Sequence, residues 1–104
     1  MPFRVKVTAA YGPLMPSLSD LRGPAPAGYR TVAAFARQSQ HPPNWFIEEH
    51  EEFTPPLVIL GAYFDVEAVG EWDARAEARA RFERELAQLK LPRPADPVHA
   101  ELAP

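Results

Sequence analysis

Leu57-Val58-Ile59-Leu60-Gly61-Ala62-Tyr63-Phe64-Asp65-Val66 decides the fold. It is the most hydrophobic decamer of the chain, apolar on both faces until Asp65. A strand of that pattern is covered on both sides, which places it in the middle of a sheet or barrel. Gly61 in its interior marks a bulge or a close approach to the backbone. Beyond Gly70, residues 73–90 read as one long helix, with Phe82, Leu86 and Leu89 forming an apolar stripe that Ala78 extends. Ala74, Ala76, Ala78 and Ala80 keep its first half thin, so that it can lie close to a sheet. Glu77–Arg81 and Arg81–Glu85 are favourable four-apart pairs on its other faces.

Upstream, Phe3, Val5, Val7, Ala9 and Tyr11 alternate with Arg4, Lys6 and Thr8, the period of a half-buried strand, and Gly12-Pro13 ends it. Residues 12–28 form a long proline-containing connection with one helical turn at 17–21, packed down by Leu14, Met15, Leu18 and Leu21. In residues 29–38 the alanines permit a helix, but Tyr29, Thr31, Ala33 and Phe35 alternate, and the aromatic and β-branched residues predict a strand. Residues 45–53 fit a helix capped by Asn44 or a strand; the short Thr54-Pro55-Pro56 break suits a hairpin and favours the strand. Pro92, Pro94 and Pro97 stop the long helix, and residues 92–104 read as an extended, Pro-rich tail. The expected architecture is mainly β within the α+β class. It has a twisted antiparallel sheet or small barrel of three to five strands, one C-terminal helix packed on it, and a single globular domain over residues 1–91.

Composition narrows the chemistry. The 104 residues suit one domain, and 46% apolar residues suffice for a core. No apolar run approaches the roughly 20 residues that span a bilayer, so no membrane role is expected. The alternating N-terminus lacks the continuous apolar segment of a secretory signal, and a cytoplasmic location is the expectation. The absence of cysteine removes disulfides, thiolate zinc sites, iron–sulfur clusters and thiol nucleophiles. A net charge of −3 argues against general nucleic-acid affinity. No glycine-rich phosphate loop and no Gly-x-Ser-x-Gly elbow around Ser17, Ser19 or Ser39 is present, so no cofactor and no catalytic residue is assigned.

Phe3-Arg4-Val5-Lys6-Val7 is followed, after the long connection, by Pro26-Ala27-Gly28-Tyr29-Arg30 with Phe35 soon after. This pairing resembles the C-terminal β-barrel domain of elongation factor Tu and the small stand-alone proteins built on it. There a similar strand precedes a glycine- and arginine-rich loop, a proline and then Gly-Tyr-Arg. Asp20-Leu21-Arg22-Gly23-Pro24 occupies the place of that loop. The family's Glu-Glu-Gly-Gly-Arg run is absent, and the C-terminal helix does not belong to that barrel. The resemblance implies a barrel that binds without catalysis, with Gly28, Tyr29 and Arg30 where the loop joins the next strand.

Glu48, His50 and Glu52 form the densest set of ionisable side chains and share one strand face, where carboxylates and imidazole could hold a divalent cation or perform acid–base work. The simpler reading is a charged strand edge that resists aggregation. His41, beside two prolines, and His99, in the tail, are poor third ligands. Arg75 and Arg79 fall near the apolar stripe and either bind an anion or partner near the helix start, or lay apolar stems over the sheet. Trp45 and Trp72 are interface anchors or, more commonly in so small a domain, core or core-edge residues. The reading that follows is a non-enzymatic binding or assembly module acting through protein–protein contacts, with self-association about a two-fold axis through an edge strand or the helix face. Tyr29, Arg30, Trp45, Arg75 and Arg79 are its candidate binding residues. A metal-dependent enzyme using Glu48, His50 and Glu52 is one alternative. RNA or translation-associated binding through Tyr29, Arg30, Arg75 and Arg79 is the other.

Overall fold

Along the chain the elements are β1 (Pro2–Tyr11), α1 (Ala27–Ala36), β2 (Trp45–His50), β3 (Leu57–Glu67), α2 (Glu71–Gln88) and β4 (His99–Leu102). The structure is a computed structural model that describes residues 1–12, 27–52, 56–94 and 97–103. The four strands form one sheet in the order β2-β3-β1-β4, with every neighbouring pair antiparallel. β3 therefore lies between β1 and β2, and β1 lies between β3 and β4. Two strand–helix–strand units interleave, the split-βαβ arrangement.

The central ladder runs from Pro2↔Glu67 to Tyr11↔Val58. Because strand side chains alternate, this register stacks Val5, Val7, Ala9 and Tyr11 beside Phe64, Ala62, Leu60 and Val58 on one face, all buried. Trp45 and Ile47 join that face from β2, and Ala100 and Leu102 from β4. Both helices cover it: α2 packs on β1, β3 and β4, and α1 on β3. Ala74, Ala78, Phe82 and Leu86 are the buried residues of α2, spaced four apart. The alanines bring the helix axis close, and the Phe82 ring, with no exposed surface, fills the centre. Burying such a ring contributes roughly 2–3 kcal/mol. Trp45 stacks on Phe82 at 4.9 Å and meets Phe35 edge-on at 5.9 Å, so one indole joins β2 to both helices.

The interior placement of residues 57–66 and the helix packed on the sheet match the sequence reading. Three features differ from it. Residues 29–38 are not a strand: α1 buries Tyr29, Val32 and Phe35, a three-residue spacing that alternation over so short a segment conceals. Among the described residues the edge strands β2 and β4 do not pair with each other, so the sheet is not closed into a barrel, and Gly28, Tyr29 and Arg30 lie in the first turn of a helix rather than where a loop meets a strand. The segment 92–104, expected as a tail, supplies β4, which pairs with β1 from Val5↔Leu102 to Thr8↔His99. Leu89 is the weak member of the expected stripe, 37% exposed past the last turn. The helical turn expected at 17–21 lies outside the described residues.

α2 starts without a side-chain cap at Gly70, but Glu71 and Asp73 occupy its first turn, where the helix dipole favours negative charge. Its other end is a Schellman turn. Leu91 N–H donates to Leu86 C=O at 2.9 Å and Lys90 N–H to Ala87 C=O at 3.1 Å, while Leu91 packs into the core. Lys90 holds the left-handed position, φ 59°, which a side chain disfavours. Lys90→Gly is expected to raise stability by about 0.5–1 kcal/mol, read as a higher urea midpoint at unchanged m-value.

Tyr11 O–H donates to Pro92 C=O at 2.6 Å and clamps the end of β1 to the chain leaving α2. Burial pushes its phenol up to about 12 from 10.0. Tyr29, whose O–H donates to Pro56 C=O, is raised chiefly by burial, then by Glu49, against Arg37. A phenol whose folded pKa exceeds its unfolded one contributes stability that is complete below pH 10 and is lost as pH rises towards 12. The Tyr11 phenol weakens folding by at most ~1.4 kcal/mol per pH unit across that window. Urea midpoints across this range should fall, and Tyr11→Phe should flatten the decline while leaving the Tyr29 share.

Candidate functional site

The other face of the sheet is the candidate site, because among the described residues no helix lies on it. The same ladders that bury Val5 and Val7 turn Arg4, Lys6, Thr8 and Ala10 of β1 outward, beside Asp65, Tyr63, Gly61 and Ile59 of β3. β2 adds Phe46, Glu48 and His50 opposite Gly61, Ile59 and Leu57, and β4 adds His99 and Glu101 opposite Thr8 and Lys6. The result is an aromatic and aliphatic centre with charges set around it.

Gly61 makes that centre possible. The Phe46 ring lies flat on its backbone: a Cβ built on Gly61 would fall 2.1 Å from the ring, closer than any real contact. The close approach anticipated from the sequence is therefore an aromatic ring on a glycine in the middle of a strand. Tyr63 stands 5.4 Å from Phe46, tilted by 40°. Arg4 places its guanidinium 4.9 Å from the centre of the Tyr63 ring, and Lys6 its ammonium 5.3 Å from that of Phe46. Each such contact is worth about 0.5–1 kcal/mol at an exposed site. Among the described residues, neither cation is ion-paired with a carboxylate.

Glu48, His50 and Glu52 do come together, at the β2 end of this face. Glu48 lies 3.5 Å from His50 Nε2 and Glu52 lies 3.3 Å from Nδ1. The carboxylates thus flank opposite sides of the imidazole. Among the described residues, no three His, Asp or Glu side chains converge on a point that would hold a metal ion.

The remaining candidates are scattered. Trp45 is 7% exposed in the core, and among the described residues its indole N–H has no hydrogen-bond partner. Tyr29 is buried and bonded to Pro56, while its neighbour Arg30 is exposed and borders a groove of about 440 Å³ floored by Phe35, Leu89 and Leu91. Arg75 and Arg79 are half-buried on the Leu86 flank of α2, and among the described residues the buried Nε of each has no hydrogen-bond partner. Glu77–Arg81 forms at 3.2 Å, and Arg81 also donates to Asp65 C=O. Trp72 is 77% exposed, not a core residue, and stands with Val69 (93% exposed) where β3 turns into α2. No helix among the described residues is long and apolar enough to cross a membrane.

The alternation that sends Arg4 and Lys6 away from Val5 and Val7 is visible in the sequence. Phe46 and Tyr63 are not separable there from the hydrophobic runs that hold them. Only the strand register puts them on the face with the cations. Comparison with protein-family models, with curated proteins and with solved structures found no match.

Gly61→Ala should displace Phe46 and cost about 1–3 kcal/mol by chemical denaturation. In a Phe46→Ala background the same substitution should be neutral or stabilising, since the ring that excludes a Cβ is gone and alanine suits a strand interior better than glycine.

Proposed function

We propose that this protein is a non-enzymatic binding or assembly module that works through protein–protein contacts, with the outward sheet face as its contact surface. One observation carries the reading: Phe46 and Tyr63 form an aromatic patch at the centre of a sheet face apart from the core, with Arg4 and Lys6 poised over the rings. Aromatic residues and arginine are what interface centres favour, and a rigid sheet presents them at little entropic cost. Acidic Asp65, Glu48 and Glu101 surround the two cations, which suits a mixed-charge protein surface better than a polyanion.

The metal-enzyme alternative draws on the contact of Glu48 and Glu52 with His50, and the flanking of opposite ring nitrogens suits an ion-paired edge better than a chelate. The RNA alternative loses support because Tyr29 is buried while Arg30 and the Arg75–Arg79 pair sit on different helices.

The test is affinity capture from the source extract with three variants of native-like melting temperature. Lys6→Glu and Tyr63→Glu should each lose the proteins that the wild type retains, while Trp72→Ser should keep them. Retention by both face variants, or loss with Trp72→Ser alone, sinks the reading.

A further inference from the structure

We infer that the outward sheet face packs against the same face of a second copy of this chain, about a two-fold axis that runs parallel to the strands between β1 and β3. The inference rests on the proposed use of that face and names its occupant. Its ground is the order of charges in the ladder. β1 contributes Arg4, Lys6, Thr8 and Ala10 in successive rows, and β3 contributes Asp65, Tyr63, Gly61 and Ile59 in the same rows. A rotation about the stated axis keeps each row and exchanges the two columns. Arg4 then meets Asp65 of the other copy, Lys6 meets Tyr63, Thr8 meets the Phe46 ring that covers Gly61, and Ala10 meets Ile59. The Arg4–Asp65 pairing forms twice by symmetry, as an isologous contact requires.

Three further features fit. Arg4 and Asp65 are opposite each other within one chain, yet among the described residues neither is ion-paired; Arg4 leans over Tyr63, and the Asp65 backbone carbonyl, not its carboxylate, takes the bond from Arg81. The central rows carry Thr8 and Ala10 on β1 and, over Gly61, the flat ring of Phe46, a low relief that face-to-face sheets at ~10 Å can accommodate. In the outer columns the exchange of β2 with β4 sets Phe46 opposite His99, an aromatic pair. A two-fold axis that crosses the strands at Gly61 lacks these features: it would set Arg4 and Asp65 against Gly12 and Leu57, so that neither charge meets an opposite charge of the other copy.

Charge exchange between two separate variants provides the test. Sedimentation equilibrium over a concentration series should show the wild type moving from one chain mass to two. Arg4→Glu and Asp65→Arg should each weaken dimerisation about tenfold or more, because like charges then meet twice across the interface. An equimolar mixture of the two variants should regain dimer as a heterodimer. In it the new carboxylate at position 4 of one chain meets the new guanidinium at position 65 of the other, and the native Arg4–Asp65 pair forms once. Within each variant chain the altered charge still faces its old neighbour, so recovery on mixing reports the contact between copies and not a folding defect. A wild type that stays at one chain mass up to millimolar concentration overturns the inference, as does a mixture that remains monomeric. A monomeric wild type whose Tyr63→Glu variant still loses its captured proteins overturns the second copy as occupant and leaves the broader use of the face standing.

Discussion

The β1–β3 ladder is the constraint on which the rest of the structure depends. Ten consecutive pairs lock the parity of both strands at once. With Val5 opposite Phe64 and Val7 opposite Ala62, the odd positions of β1 from Val5 onward face the helices, and the even positions face away. A slip of one residue would send Arg4 and Lys6 under α2 and expose Val5, Val7 and Ala9. No lesser rearrangement exists, because side chains on a strand have only two directions. β2 and β4 add themselves to a central pair already settled, and their own inward residues, Trp45 and Ala100, follow its parity.

From that parity the two faces acquire different characters. The inner one is closed by Phe82, whose ring stacks with Trp45 while Ala74 and Ala78 let α2 settle onto the strands. The outer one is organised by a missing side chain. Gly61 leaves a flat place in the most apolar strand of the protein, and Phe46 lies in it. A glycine weakens a strand interior through lost packing and greater unfolded-state freedom. Here the ring restores the packing from across the strands, and it fixes the position of an aromatic surface between Lys6 and Tyr63. Stability and the candidate contact surface thus share one residue pair.

Parts of this arrangement are legible in the residues alone. The alternation from Phe3 to Tyr11, the doubly apolar run from Leu57 and the spacing of Ala78, Phe82 and Leu86 each report a single element, and each reading agrees with the structure. α1 is a different case. Its three inward residues, Tyr29, Val32 and Phe35, span fewer than two turns, and alanines fill much of the rest, so the helical and strand periods fit equally well until a sheet surface selects one. β4 is hidden for another reason. His99-Ala100-Glu101-Leu102 is a weak strand sequence after three prolines, and it is a strand because β1 offers it an unpaired edge. The candidate residues divide in the same way. Glu48 and His50 share a face by local period alone, whereas the neighbourhood of Arg4, Tyr63, Lys6 and Phe46 joins β1 to the distant β2–β3 hairpin.

By itself, then, the sequence determined which segments are apolar on one side and which on both, and which chemistries lack their residues altogether. These are properties of local period and composition, and they survive whatever the chain does elsewhere. Tertiary structure decided the open order β2-β3-β1-β4, the helical state of residues 27–36, and the meeting of two aromatic rings with two cations over Gly61. Each of those depends on which elements pack beside which. That choice is made by the burial of distant side chains against one another, and no short window of residues contains it.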